Sequence, residues 1–426
     1  MKILLLSPHF HPSNDPRSNR WSALAAEWVR MGHEVRVLTA RYGDRAVREV
    51  WEGVFICRKA YKNVQDMLVR PGQRERAVGS GRFRLFYYLN KHLWRPLHWP
   101  DSSALWYLPA RREALKMAAS WRPDALVSVA LPMTAHAVAL AVKRAHPDLF
   151  WLADWGDPFS LQRLCPPNNR RLYGGLNRRL ERAVFSQADA HVFTTEATRA
   201  AYRALYPEAF AKCHVAPPVL SLPVCAPGPL RGARPPFARA AGRVLRLAYF
   251  GTFTPRLREP EPMLRLLDAW RKESDRAVEL HLYGRLPEPF HPLLKRYDFV
   301  RHHGLLPRER VWEEMSKADV LVSVGNRSAL QLPGKSVEYL ASGLPVLHFQ
   351  EVEEDPVCEL FAGLEQFCAV PVWEDGLSAR GGGQMDTFLK ALPEAMSHQT
   401  AVLPEERLRP YLPEFIAAFY ADLLKP

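Results

Sequence analysis

The residues best suited to chemistry in this chain run from Gln331 to Val346: Gln331-Leu332-Pro333-Gly334-Lys335-Ser336-Val337-Glu338-Tyr339-Leu340-Ala341-Ser342-Gly343-Leu344-Pro345-Val346. Pro333 and Gly334 break the preceding chain and can open a helix, and Lys335 to Ser342 contains no breaker. Gly343 stands where a left-handed helix stop is wanted, and Pro345 forbids continuation. Val346 to Phe349 then reads as a buried strand. The first N–H groups of such a helix carry positive partial charge and suit an anion such as a diphosphate. Lys335 adds a full charge there, and Glu338 lies one turn on, on roughly the same face. A carboxylate so placed can accept two hydrogen bonds from vicinal hydroxyls such as those of a ribose. Together these groups describe a nucleotide-diphosphate cradle, although they also suit an ordinary short helix with a solvated Lys and Glu.

The elements that must position this stretch follow from the rest of the chain. Lys2 to Ser7 is a short apolar strand, and Ser18 can cap a helix running to Met31 with Trp21, Leu24, Ala25 and Trp28 on its buried face. Glu34 to Thr39 is the next strand, a βαβ start that implies a parallel sheet. No GxGxxG follows the first strand, so this is not a dinucleotide fingerprint. Arg17 and Arg20, on the first turn of that helix, suit either a phosphate or solvent. Further on, Ala125 to Val129 reads as a strand and Thr134 to Lys143 as a helix, with His136 in its first turn. Phe150 to Ala153 is a strand ending at Asp154-Trp155-Gly156-Asp157-Pro158. Ligands gather at the carboxyl ends of parallel strands, which favours Asp154 and Asp157 over most carboxylates of the chain. After a stretch dense in Pro, Gly and Arg at 216–245, read as a semi-rigid linker, the pattern restarts with a strand at Leu245 to Phe250. The loop Gly251-Thr252-Phe253-Thr254-Pro255-Arg256-Leu257-Arg258 follows, and Pro262 opens a helix. Val278 to Gly284, Phe299 to Gly304 and Val320 to Val324 are further strands, and Asn326 and Gln331 share the loop before the Lys335 helix.

The 426 residues are enough for two domains, each with its own core. The net charge of +13 is uneven: residues 1–220 hold 33 Lys and Arg against 18 Asp and Glu, or +15, which leaves 25 against 27, or −2, for residues 221–426. The first half therefore meets an anionic surface or is Arg-rich and solvated. From 70 to 99, seven basic residues (Arg70, Arg74, Arg76, Arg82, Arg84, Lys91 and Arg95) face only Glu75, with Phe83, Phe86, Tyr87, Tyr88, Trp94 and Trp99 interleaved. That mixture suits a membrane interface carrying anionic lipid better than it suits nucleic acid, and it also suits a packed helical insertion. The opening Met1 to Leu6 run stops at Ser7-Pro8, too short for a signal peptide. The longest uncharged run, Ala125 to Val142, is broken by Pro132 and His136 and does not read as a membrane span. Six scattered Cys show no metal-ligand spacing, which fits a reduced, cytoplasmic chain, possible contact with the inner face of the membrane included.

The run Pro333-Gly334-Lys335-x-x-Glu338-Tyr339-Leu340-Ala341-Ser342-Gly343-x-Pro345-Val346 resembles the donor-site signature of GT-B glycosyltransferases, family 4 in particular. His9-Phe10-His11-Pro12, Arg17, Arg20-Trp21 and Gly32-His33-Glu34-Val35 are similar to the family's opening, with Asn14-Asp15-Pro16 where many members carry a Gly-Gly pair. Asp154-Trp155-Gly156-Asp157-Pro158-Phe159 resembles its Asp-x-Arg-Asp-Pro-Trp, with Gly156 and Phe159 as the departures. Leu330 stands where the family often has a Glu that contacts the donor sugar.

The resemblance implies an α/β, GT-B architecture: two Rossmann-like, doubly wound domains facing an interdomain cleft. The expected parts are an acceptor domain at 1–216 with a basic and aromatic insertion at 60–110, a linker at 217–245, a nucleotide-sugar donor domain at 246–404, and a helix at 405–426 returning to the first domain. It implies transfer of a sugar, with retention, from a nucleotide-diphospho-sugar to a glycan or lipid-linked acceptor in cell-surface polysaccharide or glycolipid synthesis. Glu338 would hold the ribose, and Arg256, Arg258, Lys335 and the helix N-terminus the diphosphate, with Gly251, Gly334 and Ser336 among the donor-binding residues. His303 would lie by the base, with Asn326 and Gln331 on the adjoining loop. Arg17 and Arg20 would meet a phosphate of the donor or acceptor. Asp157, Asp154 or His136 would orient or deprotonate the acceptor hydroxyl, and the sequence does not choose among them. No DxD or His cluster is visible, so neither metal nor cofactor is expected beyond the nucleotide-sugar substrate. A nucleotide-sugar epimerase of the same fold, and a non-catalytic subunit that binds a membrane or partner, are the alternative readings.

Overall fold

The computed structural model describes the chain except residues 14, 42–44, 61–96, 221–243, 275, 374–378, 399–404 and 426. Asn14, the basic and aromatic stretch up to Arg95, and most of the Pro-rich segment lie outside the described residues. The chain divides into two compact units, Met1–Pro217 with Pro413–Pro426, and Pro218–Leu412.

The first unit is built on an eight-stranded sheet: β1 (Lys2–Leu6), β2 (Glu34–Ala40), β3 (Arg48–Trp51), β4 (Val54–Lys59), β5 (Ala125–Ala130), β6 (Phe150–Trp155), β7 (Ala190–Phe193) and β8 (Cys213–Val215). Their order across the sheet is β3-β4-β2-β1-β5-β6-β7-β8. All neighbours run parallel except the β3–β4 hairpin. Glu52 and Gly53 turn that hairpin with φ of 48° and 76°, the positive pair that a two-residue turn matched to strand twist requires. Ile3 to Leu6 and Ala125 to Ala130 are buried without interruption, as strands of a parallel sheet covered on both faces must be. β1 is the switch point, because the chain adds β2 on one side of it and β5 on the other.

Two sequence expectations in this unit need correction. The first helix spans Pro16–Arg30 and is capped by Asp15, whose carboxylate accepts the N–H groups of Arg17 and Ser18. Ser18 lies inside the helix and is buried. Pro16 has no N–H to leave unsatisfied, so it takes the first helical position and the carboxylate before it becomes the cap. β6 extends to Trp155, so Asp154 is a strand residue and not part of the turn after it. The helix Pro413–Leu423 packs against Pro16–Arg30: Trp28 Nε1 donates to the Ala417 carbonyl at 3.0 Å, and the Trp21 and Tyr420 rings lie 5.3 Å apart.

The second unit holds β9 (Leu245–Phe250), β10 (Val278–Tyr283), β11 (Val300–Gly304), β12 (Val320–Val324), β13 (Val346–Gln350) and β14 (Phe367–Pro371) in the order β11-β10-β9-β12-β13-β14, all parallel. Its switch point lies between β9 and β12. Leu247, Leu280, Val320, Val322, Leu347 and Phe349 fill one face, each contributing roughly 1.5–3 kcal/mol by burial. The helix Lys335–Ser342 connects β12 to β13, and Gly343 ends it at φ +66°. Tyr339 anchors that helix to the sheet, since its hydroxyl accepts the Phe250 N–H at the end of β9 at 2.7 Å. Among the described residues no helix is long and apolar enough to cross a membrane.

Candidate functional site

In each unit the candidate residues collect near the carboxyl ends of the parallel strands. In the first unit the loop after β1 is drawn tight by side chains. Ser7 Oγ donates to the His9 carbonyl at 2.6 Å, and Ser13 Oγ donates to Asp15 at 2.8 Å. Burial pushes the Asp15 carboxyl up, but hydrogen bonds from His9, the Ser18 N–H and Ser13 outweigh it and hold the group at about 2. Arg17 reaches from the first helical turn to Asp157 after β6, with Nη2 at 2.7 Å from Oδ2. Both side chains keep access to solvent. Gly156, between Asp154 and Asp157, sits close to the end of β5, where a Cβ would lie 3.1 Å from the Ala130 carbonyl oxygen.

The other first-unit candidates are enclosed. Arg20 is buried and donates to the Ala216 and Pro217 carbonyls at 3.3 and 2.5 Å, and to the Tyr420 hydroxyl at 3.0 Å. Tyr420 in turn donates to Asp154 Oδ2 at 2.5 Å. Burial raises the Asp154 carboxyl, against the pull of Arg20. His136 is buried with Nδ1 2.8 Å from Ser128 Oγ, its ring edge-on to Trp155 at 4.6 Å. Burial lowers it to about 3, so it is neutral at ordinary pH.

In the second unit three strand ends close on one another through glycines. Gly251 N–H donates to the Tyr283 carbonyl at 2.9 Å, and Gly284 N–H to the Gly304 carbonyl at 2.7 Å. Gly284 has φ +139°, and a Cβ on it would sit 1.9 Å from the Gly251 carbonyl oxygen, so no other residue fits. The loop from Gly251 carries Arg256 at φ +69° and Arg258. Arg258 Nη2 donates to Asn326 Oδ1 at 2.7 Å, and Asn326 Nδ2 donates to the Gln331 carbonyl at 3.1 Å. Five of the candidates, Gly251, Arg256, Arg258, Asn326 and Gln331, thus belong to two joined loops across the β9/β12 switch point. Leu330 is half-buried on the second of these loops, its N–H on Ser328 Oγ at 3.3 Å.

Lys335 and Glu338 are not a solvated pair. The Glu338 side chain is only 8% exposed, and Lys335 Nζ donates to its Oε2. Arg308, at the start of helix Arg308–Met315, is lowered by burial, with the Glu338 charge opposing that shift. Gly334 is the exposed N-cap, and Ser336 Oγ is buried without a hydrogen bond. His303 lies two strands from β9, at the end of a stack in which Phe250 and Tyr283 are 4.7 Å apart and Tyr283 and His303 4.6 Å. Its Nε2 is 2.9 Å from His281 Nδ1. Among the described residues no group of three or more His, Cys, Asp or Glu is placed to hold a metal ion.

Sequence reasoning missed Tyr339, Arg308 and Arg327. Tyr339 stood inside the motif, one residue after Glu338, and its aromatic ring with a polar handle was the available signal. Arg308 follows a Pro at a helix start and Arg327 sits in an aperiodic loop, so neither carried a local signal.

Residues 18–219, most of the first unit, match the model of the glycosyl transferase 4-like domain. Over the whole chain the fold is similar to three solved structures. Sucrose-phosphate synthase from Thermosynechococcus elongatus shares 15% identity, with 99% of this chain and 98% of that one covered and a TM-score of 0.67. Anabaena HepE in complex with UDP and glucose shares 12%, covering 100% and 99%, with a TM-score of 0.61. WaaG, a glycosyltransferase involved in lipopolysaccharide biosynthesis, shares 12%, covering 99% and 99%, with a TM-score of 0.57. No curated protein matches the chain. By fold the chain is of the GT-B type, similar to these structures, and residues 18–219 carry the match to a glycosyl transferase 4-like domain.

Proposed function

We propose that this chain moves a sugar from a nucleotide-diphospho-sugar to a glycan or lipid-linked acceptor, with retention of anomeric configuration, in the synthesis of a cell-surface polysaccharide or glycolipid. The observation that carries the reading is the buried Glu338 carboxylate, paired with Lys335 on the first turn of a helix that Tyr339 hooks to the end of β9. Two ribose hydroxyls can take the place of Lys335 on Glu338. The ammonium then turns to the diphosphate, beside Arg256, Arg258 and the helix N–H groups. The bond from the anomeric carbon to the diphosphate oxygen breaks, and the charge that develops on the leaving group meets these cations. The acceptor oxygen forms the new bond, and its proton passes to the departing diphosphate oxygen. Among the first-unit carboxylates, Asp157 is the candidate to orient that hydroxyl, because its side chain reaches solvent while Asp154 and His136 are enclosed. Arg17 orients the Asp157 carboxylate through its 2.7 Å hydrogen bond and stands ready for a phosphate on the acceptor. His303, an exposed ring stacked with Tyr283 and His281, supports a place for the base. No cofactor beyond the donor enters this reading.

The charge of +15 on residues 1–220 supports a peripheral contact of the first unit with the anionic inner face of a membrane, which suits a lipid-linked acceptor. Flotation with anionic vesicles at low salt checks this, and no lipid association there counts against it. The transfer itself is tested by following nucleoside diphosphate release from a panel of nucleotide-sugars, with and without a membrane glycolipid extract. Release only in the presence of acceptor is expected. Interconversion of the donor sugar without any acceptor identifies an epimerase instead.

A further inference from the structure

Beside the proposed diphosphate cations runs a chain of charged groups that the donor reading does not use. Arg327, in the loop after β12, donates its backbone N–H to the Leu257 carbonyl at 2.8 Å. Its side chain lies between two carboxylates from different strand ends: Nη1 is 3.2 Å from Glu259 Oε2, and Nε is 3.0 Å from Glu351 Oε2. Glu351 follows β13 and is 3% exposed, so it fixes one end of this chain in the interior. Burial pushes its carboxyl up, and Arg327 is the group that draws it back down. At the other end Glu259 Oε1 accepts the backbone N–H of Arg256 at 2.8 Å. Arg256 is one of only three described non-glycine residues with positive φ, at +69°. A bulky side chain in that region is uncommon and needs surrounding contacts to hold it.

We propose that Arg327 is a positioning residue for the diphosphate-binding loop. It ties the interior carboxylate of Glu351 to Glu259, Glu259 holds the left-handed turn at Arg256, and the turn presents Arg256 and Arg258 together. Arg258 is set in the same way by Asn326, the residue immediately before Arg327. Two consecutive residues of one loop thus hold a carboxylate and a guanidinium of the other. This assignment rests on the donor reading above, but it makes a demand of its own: losing Arg327 must weaken capture of the phosphates and leave capture of the nucleoside alone.

Arg327→Met strands the Glu351 carboxylate in the interior, so the informative variant is Arg327→Met with Glu351→Gln, which removes both charges together. Calorimetric titration of the full chain uses whichever of UDP, GDP and ADP the wild type binds tightest, and the matching nucleoside. The variant is expected to lose about tenfold or more in affinity for the diphosphate, with nucleoside affinity changed less than twofold. Arg327→Lys with native Glu351 keeps one charge but not the two-carboxylate fork, so it should recover only part of the loss. An equal loss for diphosphate and nucleoside makes Arg327 merely structural and overturns the proposal, as does an unchanged diphosphate affinity. A wild type that binds none of the three diphosphates refutes the donor reading itself, and this assignment with it.

Discussion

Removing one hydroxyl from the far end of the chain should loosen the first unit substantially. Tyr420 is buried in the helix Pro413–Leu423, and its hydroxyl joins two buried charges. It accepts from Arg20 Nη2 at 3.0 Å and donates to Asp154 Oδ2 at 2.5 Å. Tyr420→Phe keeps the ring against Trp21 and Trp28 and removes both bonds. A hydrogen bond to a charged group contributes roughly 1.5–3 kcal/mol, so two shared by one hydroxyl give a loss of about 3 kcal/mol. Arg20→Met goes further, because it uncovers the Ala216 and Pro217 carbonyls and removes the charge that offsets the buried Asp154. Breaking a buried charged pair on one side costs about 3–5 kcal/mol. Of the twelve Trp residues, nine (Trp21, Trp28, Trp51, Trp94, Trp99, Trp106, Trp121, Trp151 and Trp155) precede residue 218, so intrinsic fluorescence during urea unfolding reports mainly on this unit. Expected are a lower midpoint for Tyr420→Phe and a still lower one for Arg20→Met. A shift equivalent to less than about 0.5 kcal/mol in both, the size of an ordinary surface substitution, would refute the reasoning.

Acid should destabilise the same unit through two of its buried histidines. His136 and His191 are both held neutral by burial, at about 3 against an ordinary value of 6.5. The unfolded chain takes up protons at these sites below pH 6.5 and the folded chain refuses them until about pH 3, so stability falls as pH drops through that window. At pH 5 the loss is about 2 kcal/mol per histidine, and a flat stability between pH 7 and pH 5 contradicts the placement. In the second unit, Gly284→Ala should cost about 3 kcal/mol or more, since its methyl meets the Gly251 backbone and cannot turn away. Thermal unfolding of the variant checks this, and an unchanged midpoint contradicts it.

The parts of this molecule that were legible in the sequence are those where local signals and tertiary structure agree. The helix Lys335–Ser342 and strand Leu245–Phe250 fall where Gly334, Gly343 and the apolar run put them. The cap at Asp15 was misplaced because Ser18 and Asp15 are both good caps, and only the proline between them decides. Arg20 read as a contact for a phosphate and is instead enclosed by residues 196 to 400 positions away, a distance no local pattern spans. Asp154 and His136 sit at expected strand and helix ends, but burial there depends on Trp155, Tyr420 and other neighbours that the sequence does not rank. The β3–β4 hairpin went unread, although its Glu52-Gly53 turn was a usable signal.

The donor cradle on the Lys335–Ser342 helix is tested most directly by isothermal titration of nucleoside diphosphate into the wild type, Glu338→Gln and Lys335→Ala, each shown to be folded. Glu338→Gln keeps size and helix but weakens two charge-assisted bonds to ribose, so it should cost roughly 1.5–3 kcal/mol, or about 10- to 100-fold in affinity. Lys335→Ala removes a phosphate cation but also frees Glu338 from its present partner, so its binding loss should be the smaller. Its larger effect should fall on turnover, where the leaving group's charge grows. A wild type that binds, with Glu338→Gln weaker and Lys335→Ala slower, is the predicted result. Equal affinity in all three proteins would contradict it and remove the donor site from this helix.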